Sequence, residues 1–150
     1  MNYKSCQSHI HLIARALMVS GDNLIFCYSQ EKDWLFLPGG HVEDGESARQ
    51  ALARELEEEL GAGNYPIGEL LGVSENVFSP EDGWQQHEIN LVFQVNMPAG
   101  FVPVCQEKHI GYVVIPRQHF SEHNILPSQF QAAIPRWLDG EGFRFFDLAS

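Results

Sequence analysis

Hydrophobic positions along the chain change period several times, and each change marks an element. The first apolar run, His9 to Val19, is followed by the turn signal Ser20-Gly21-Asp22-Asn23 and a second run, Leu24 to Tyr28. Two such runs around a Gly/Asp/Asn turn predict strands paired as an antiparallel hairpin. Trp34 to Leu37 predicts a short strand that ends at Pro38-Gly39-Gly40. Two glycines after a proline let the backbone turn sharply and approach a ligand closely. From Ser47 to Leu60 the period becomes helical. At about 100° per residue, Leu52, Leu56 and Leu60 share one stripe, and Glu55, Glu58 and Glu59 share the adjacent face. Glu46 or Ser47 marks the helix start, and Gly61, in a left-handed conformation, the stop.

Ile67 to Phe78 reads as extended and broken at Gly72, and Ser79 to Gln86 as a polar loop with Pro80, Gly83 and Trp84. His87 to Val95 alternates. Ile89, Leu91, Phe93 and Val95 make a core row; Glu88, Asn90 and Gln94, with Val92 among them, make the opposite row. Phe101 to Val104 and Ile110 to Ile115 predict two further strands, the latter stopped by Pro116. Pro127-Ser128 opens a second helix through Phe130, Ile134, Trp137 and Leu138, with Pro135 a point of interruption. Strands, helix, strands, helix in that order predict an α/β fold, a mixed sheet between helical layers.

The 150 residues suit a single domain spanning 1–150. No apolar run reaches the roughly 18 residues of a membrane span, and no secretory signal is visible at the N-terminus. Cys6, Cys27 and Cys105 are widely spaced and form no CxxC pair. They read as reduced thiols of a cytoplasmic protein. Net charge is −11, from 9 basic and 20 acidic residues. That balance argues against a broad grip on a nucleic-acid backbone, which needs a basic patch. An anionic small molecule would have to be held through a metal and a few local cations. Zinc is disfavoured, because the seven histidines show neither HExxH nor paired Cys/His spacing. Asp44-Gly45 lacks the DxDxDG spacing of a calcium loop.

Chemistry concentrates on the first helix. Four of the six residues Arg54 to Glu59 are acids, three of them consecutive. Like charges at helical neighbour spacing destabilise a helix, so the cluster calls for a compensating cation. Mg²⁺ is the natural candidate and Mn²⁺ the alternative, both hard and oxygen-seeking. The bland alternative is a solvated acidic face. Arg54 and Glu58 are four apart, which offers an ion pair.

Gly40, five residues, Glu46, seven residues, then Arg54-Glu55-Leu56-Glu57-Glu58-Glu59-Leu60-Gly61 resembles the signature of the Nudix hydrolase family. Every polar position of that box matches. Ala62 is a soft departure, at a packing position where the family usually has a larger aliphatic residue. The resemblance implies the Nudix α/β/α sandwich and Mg²⁺-dependent hydrolysis of a pyrophosphate bond in a nucleoside diphosphate-linked substrate. Nucleoside triphosphates, ADP-ribose and nucleotide sugars all fit. It further implies that Glu58 and Glu59 bind metal and that Glu55 binds metal or activates water. Arg54 would orient a glutamate, Glu46 would buttress the loop, and the Gly39 or Gly40 backbone would add a metal or substrate contact. Family members often recruit a further acid from a later strand. Glu88 is the candidate here, with Glu75 and Glu107 as rivals.

A basic residue of the first strand often faces the substrate phosphate in that family, which points to Arg15. Its bland reading is a pair with an acid of the box, or an edge position. Among Trp34, Phe36, Phe78 and Trp84, all core or hairpin residues by default, Trp84 in its polar loop is the best candidate to stack on a base. A non-catalytic Nudix-fold nucleotide sensor is the alternative from another class. The intact Glu55, Glu58 and Glu59 argue against it. A homodimer is left open.

Overall fold

Strand β1 (Ile10–Ser20) is the axis of the molecule in this computed structural model. Residues 9–79, 85–104, 108–142 and, for the backbone alone, 144–146 are described. β1 turns at Gly21 (φ 57°) into β2 (Asn23–Ser29), pairing Met18 with Ile25 and Ser20 with Asn23 as the expected hairpin. Two more short strands follow, β3 (Leu35–Phe36) on β2 and β4 (Gly39–His41) on β1. β2 and β4 share one edge of β1: β2 takes its end, and β4 takes Ile13 to Arg15. The edge forks there, and the first helix closes over the fork.

That helix, α1 (Ala48–Leu60), contains no glycine, proline or β-branched residue. Ser47 is its cap. The Ser47 hydroxyl accepts from Gln50 N at 3.1 Å, and the Gln50 side chain accepts from Ser47 N at 2.8 Å, a reciprocal capping box. Gly61 ends the helix, donating to Glu57 O, but with φ 97° and ψ 163°. The ψ value places it outside the expected left-handed helical region. Leu52, Leu56 and Leu60 are buried, together with Ala14, Ala16, Met18, Ile25, Phe93 and Val95 of the sheet. Each leucine contributes about 1.5–3 kcal/mol by burial.

On the other side of β1 lies β6 (Gln86–Met97), parallel to it from Ile10↔His87 to Ser20↔Met97. β5 (Ile67–Phe78) pairs antiparallel with β6 and is continuous. The break expected at Gly72 is instead a pair of register shifts between Ile67 and Gly72, a bulge that bends the strand without ending it. β7 (Ile110–Pro116) joins β2, a 3₁₀ turn follows at Arg117–Glu122, and β8 (Arg144–Phe146) lies parallel to β5. Phe101–Val104 is not a strand; Val104 N donates to Leu60 O at the end of α1.

Helix α2 (Gln129–Leu138) runs through Pro135 and covers the second face, burying Phe130, Ile134 and Trp137 against Leu17, Phe26, Val92 and Ile115. The result is the expected mixed sheet between helices. Because both faces are covered, the two rows of β6 differ less than their polarity suggests. Asn90 and Val92 of the polar row are wholly buried, while Ile89 and Leu91 of the core row are only half-buried. Among the described residues no helix is long and apolar enough to cross a membrane.

Candidate active site

The site is built where β4 crosses beneath the acidic face of α1. At Gly39 φ is 139°, and a Cβ there would overlap the Ala14 carbonyl. Only glycine lets this segment lie so close on β1. Its backbone N–H then donates to Glu59 Oε2 at 3.1 Å, and Glu59 is 5% exposed. The Glu55 carboxylate lies directly against Gly40, where a Cβ would overlap it. Two of the expected acids are thus fixed by two consecutive glycines.

Arg54 ties the others together. Its guanidinium bonds both Glu46 oxygens, Nη2 to Oε1 at 2.7 Å and Nε to Oε2 at 3.2 Å. Nη1 donates to Glu55 Oε1 at 3.0 Å and to Glu58 Oε1 at 3.3 Å, and Nη2 also reaches His41 O at 3.1 Å. Glu46 accepts from Glu43 N as well, at 2.9 Å. The Glu46 bonds, chiefly, hold the Arg54 pKa above its ordinary value, and Arg54 holds the Glu46 carboxyl below its own. One cation therefore hydrogen-bonds the carboxylates of Glu46, Glu55 and Glu58, of which Glu58 is the most exposed, and lies 3.9 Å from a fourth, Glu43.

Arg15, on β1, is in register with Gly39 of the adjacent β4. It is neither at an edge nor ion-paired with an acid of the box. Its Nε donates to Asn90 Oδ1 at 3.3 Å and its Nη1 to Leu37 O at 3.1 Å. Burial pushes its pKa down, opposed first by the charge of Glu88, then by Glu59, with a smaller contribution from Glu55. Glu88 occupies the Arg15 face of the sheet, since it is two residues before Asn90 on β6 and in register with His11 on β1. Glu75 lies on the opposite face, in register with Ile89 and 3.0 Å from His87 Nε2.

The fold thus brings together Arg15, Gly39, Gly40, Arg54, Glu55, Glu58 and Glu59, with Glu88 on the adjoining strand. Trp84, Glu107 and Pro80 lie outside the described residues, as do Cys6 and Cys105; Cys27 is buried. Sequence reasoning missed two features. Asn90 contacts Arg15 from 75 positions away; its only signal is a polar residue two places after Glu88 on one face. His11 Nδ1 and His41 Nε2 meet at 3.0 Å beside the cluster, and nothing local marks them as a pair.

As the side chains stand, no three His, Cys, Asp or Glu among the described residues converge on one point. Glu58 is turned toward Arg54, and Glu59 toward Gly39 N. The donor set nonetheless suits a hard divalent ion. Carboxylate oxygens on neighbouring turns of one helix offer the right chemistry, and half-exposed Glu58 is able to swing away from its long 3.3 Å contact.

A family model described as the NUDIX domain matches residues 10–138. Solved structures share the fold. An Escherichia coli dihydroneopterin triphosphate pyrophosphohydrolase aligns over 87% of this chain and 96% of its own, with TM-score 0.71 and 16% identity. A MutT protein from Methanosarcina mazei Go1 aligns over 91% and 98%, with TM-score 0.70 and 21% identity. A UDP-X diphosphatase aligns over 95% and 70%, with TM-score 0.64 and 18% identity. No curated protein matches the chain.

Proposed function

This chain belongs to the NUDIX hydrolase family, whose members act on phosphorus-containing acid anhydrides, and we propose that it hydrolyses a pyrophosphate bond in a nucleoside diphosphate-linked small molecule with a divalent ion, Mg²⁺ or Mn²⁺. The observation that carries this reading is the fixed carboxylate set: Glu59 on Gly39 N, Glu55 against Gly40, and Glu58 on Arg54.

Glu55, Glu58 and Glu59 would hold the ion, with the Gly40 backbone as a further oxygen donor and Glu88 as the added acid. When bound, such an ion offsets charge on the phosphate oxygens and lowers the pKa of water. The protein's own part is placement and proton transfer. Arg54, fastened to Glu46, sets the directions of Glu55 and Glu58. Water attacks phosphorus and the bridging P–O bond breaks. The water's proton passes to a carboxylate, Glu55 or Glu58, and the electron pair leaves with the second phosphorylated fragment. Arg15 would take a phosphate oxygen, near Gly39, as charge moves toward the leaving group. The similarity to a dihydroneopterin triphosphate pyrophosphohydrolase and to a UDP-X diphosphatase favours nucleotide-like substrates. A cytoplasmic setting fits such substrates.

A substrate panel of nucleoside triphosphates, ADP-ribose and UDP-sugars, assayed with Mg²⁺ for release of phosphomonoesters or pyrophosphate, tests the reading. Turnover of at least one class is expected. Tight nucleotide binding without turnover of any would replace it with a sensor role.

A further inference from the structure

We propose that Asn90 is a positioning residue that aims the Arg15 guanidinium at an anionic group of the substrate while leaving its charge unneutralised. The inference rests on the reading of Arg15 as a phosphate contact and adds what keeps that contact available.

Arg15 lies in the middle of β1 between β4 and β6, and both oxygens that hold it are neutral, Asn90 Oδ1 and Leu37 O. Among the described residues no carboxylate comes within ion-pairing distance of it. A guanidinium carries five N–H donors, and these two bonds occupy two of them. Arg15 is half-buried, and a cation drawn even partly out of water ordinarily has a carboxylate in contact, because an unpaired charge away from water is costly. Here the acids stand off instead. The carboxylates whose charge it feels, Glu88, Glu59 and Glu55, belong to the set proposed to hold metal.

Asn90 is wholly buried. Its amide orientation is fixed by chemistry, since a guanidinium has no acceptor and only the amide oxygen can face it. The Nδ2 group consequently points elsewhere and has no hydrogen-bond partner among the described residues; the same holds for the Oγ of Ser74, its register partner on β5. An aspartate has nearly the same shape. It would accept a charge-assisted bond from Arg15, and the Ser74 hydroxyl could rotate to donate to its second oxygen. For the fold alone, aspartate suits position 90 better than asparagine. For a cation that must meet an external anion, asparagine suits it better, because an aspartate would supply that anion permanently.

The two demands separate in experiment. Asn90→Asp should melt at or above the wild-type temperature without ligand. Its affinity for inorganic pyrophosphate in Mg²⁺ buffer should fall about tenfold or more, and the KM of whichever substrate the panel identifies should rise while kcat changes less. Asn90→Ala should melt lower and lose affinity less, since it loosens the aim and keeps the charge. In an Arg15→Gln background, Asn90→Asp should change pyrophosphate affinity by no more than about twofold, because its effect passes through Arg15. Wild-type affinity in Asn90→Asp overturns the proposal. So does a lowered melting temperature for that variant, or an equal loss in the Arg15→Gln background, which would mean that the added charge repels the ligand directly. Unchanged affinity in Arg15→Gln alone is a different result, and removes the phosphate role of Arg15 itself.

Discussion

Replacing Gly40 with alanine should separate catalysis from folding. The added Cβ would meet the Glu55 carboxylate, 2.6 Å from Oε1, well inside contact distance. What it meets is the far end of a side chain, so the chain can yield without moving backbone. Glu55 is then pushed out of line and its 3.0 Å bond to Arg54 is broken. A half-buried ion pair of this kind contributes about 1 kcal/mol. Alanine returns about 0.4–1 kcal/mol by restricting the unfolded chain. The two nearly cancel, and stability should stay within about 1 kcal/mol of wild type. Catalysis has no such compensation. Displacing a carboxylate that places charge at the reaction centre typically costs about 10²-fold in kcat, or about 2.7 kcal/mol.

Gly39→Ala is the control. Its Cβ would overlap the Ala14 carbonyl and lie 3.0 Å from Arg15 Cα, at φ 139°. Backbone must move, at a cost of about 3 kcal/mol. That corresponds to a fall of about 6–12 °C in melting temperature for a chain of this size. Thermal melts and initial rates on both variants decide. Wild-type kcat in Gly40→Ala would refute the placement of Glu55 in the mechanism, and a Gly40→Ala protein that melts like Gly39→Ala would refute the structural half.

Glu59→Leu should lose about 1–3 kcal/mol of stability by leaving the buried Gly39 N–H without its acceptor. Glu59→Gln should keep the fold, as should Glu58→Gln, and each should lose about 10²-fold in kcat; melts and rates on the three variants check this. Glu88→Gln should reduce kcat about tenfold or more, whereas Glu75→Gln, on the opposite face against His87, should stay near wild type in the same assay. Glu46 carries a pH signature: with its pKa below the ordinary 4.5, the stability it supplies is complete above that pH and is lost as pH falls through the lowered value. The melting temperature of Glu46→Gln should therefore fall less steeply than wild type as pH drops below about 4.5.

The helix, its leucine stripe and its acids were legible because helical order is local: Ser47, Gln50 and the 3.6-residue period lie within one segment. The glycines were legible for the same reason. β4 was not, since three residues, Gly39–His41, carry no periodicity and are strand only because β1 lies beside them. The parallel pairing of β1 with β6 joins residues some 77 positions apart and leaves no mark on either segment. With it went the contact of Arg15 with Asn90 and the burial of the polar row of β6. Alternation placed Asn90 on the row opposite the aliphatic one, but not in the interior; α2 covers that face and Arg15 gives its oxygen a partner. Phe101–Val104 has strand-like composition, but among the described residues it pairs with no strand, and Val104 instead donates to the last carbonyl of α1.

The central claim is that the α1 carboxylates act through a divalent ion. Titrating metal-free protein with Mn²⁺ while following turnover of one panel substrate tests it directly. Rate should be absent in chelator, rise in step with Mn²⁺ occupancy and be restored by Mg²⁺. Glu58→Gln should weaken both occupancy and rate. Undiminished turnover in metal-free buffer, or Mn²⁺ binding unaltered in Glu58→Gln with full activity, would contradict the account.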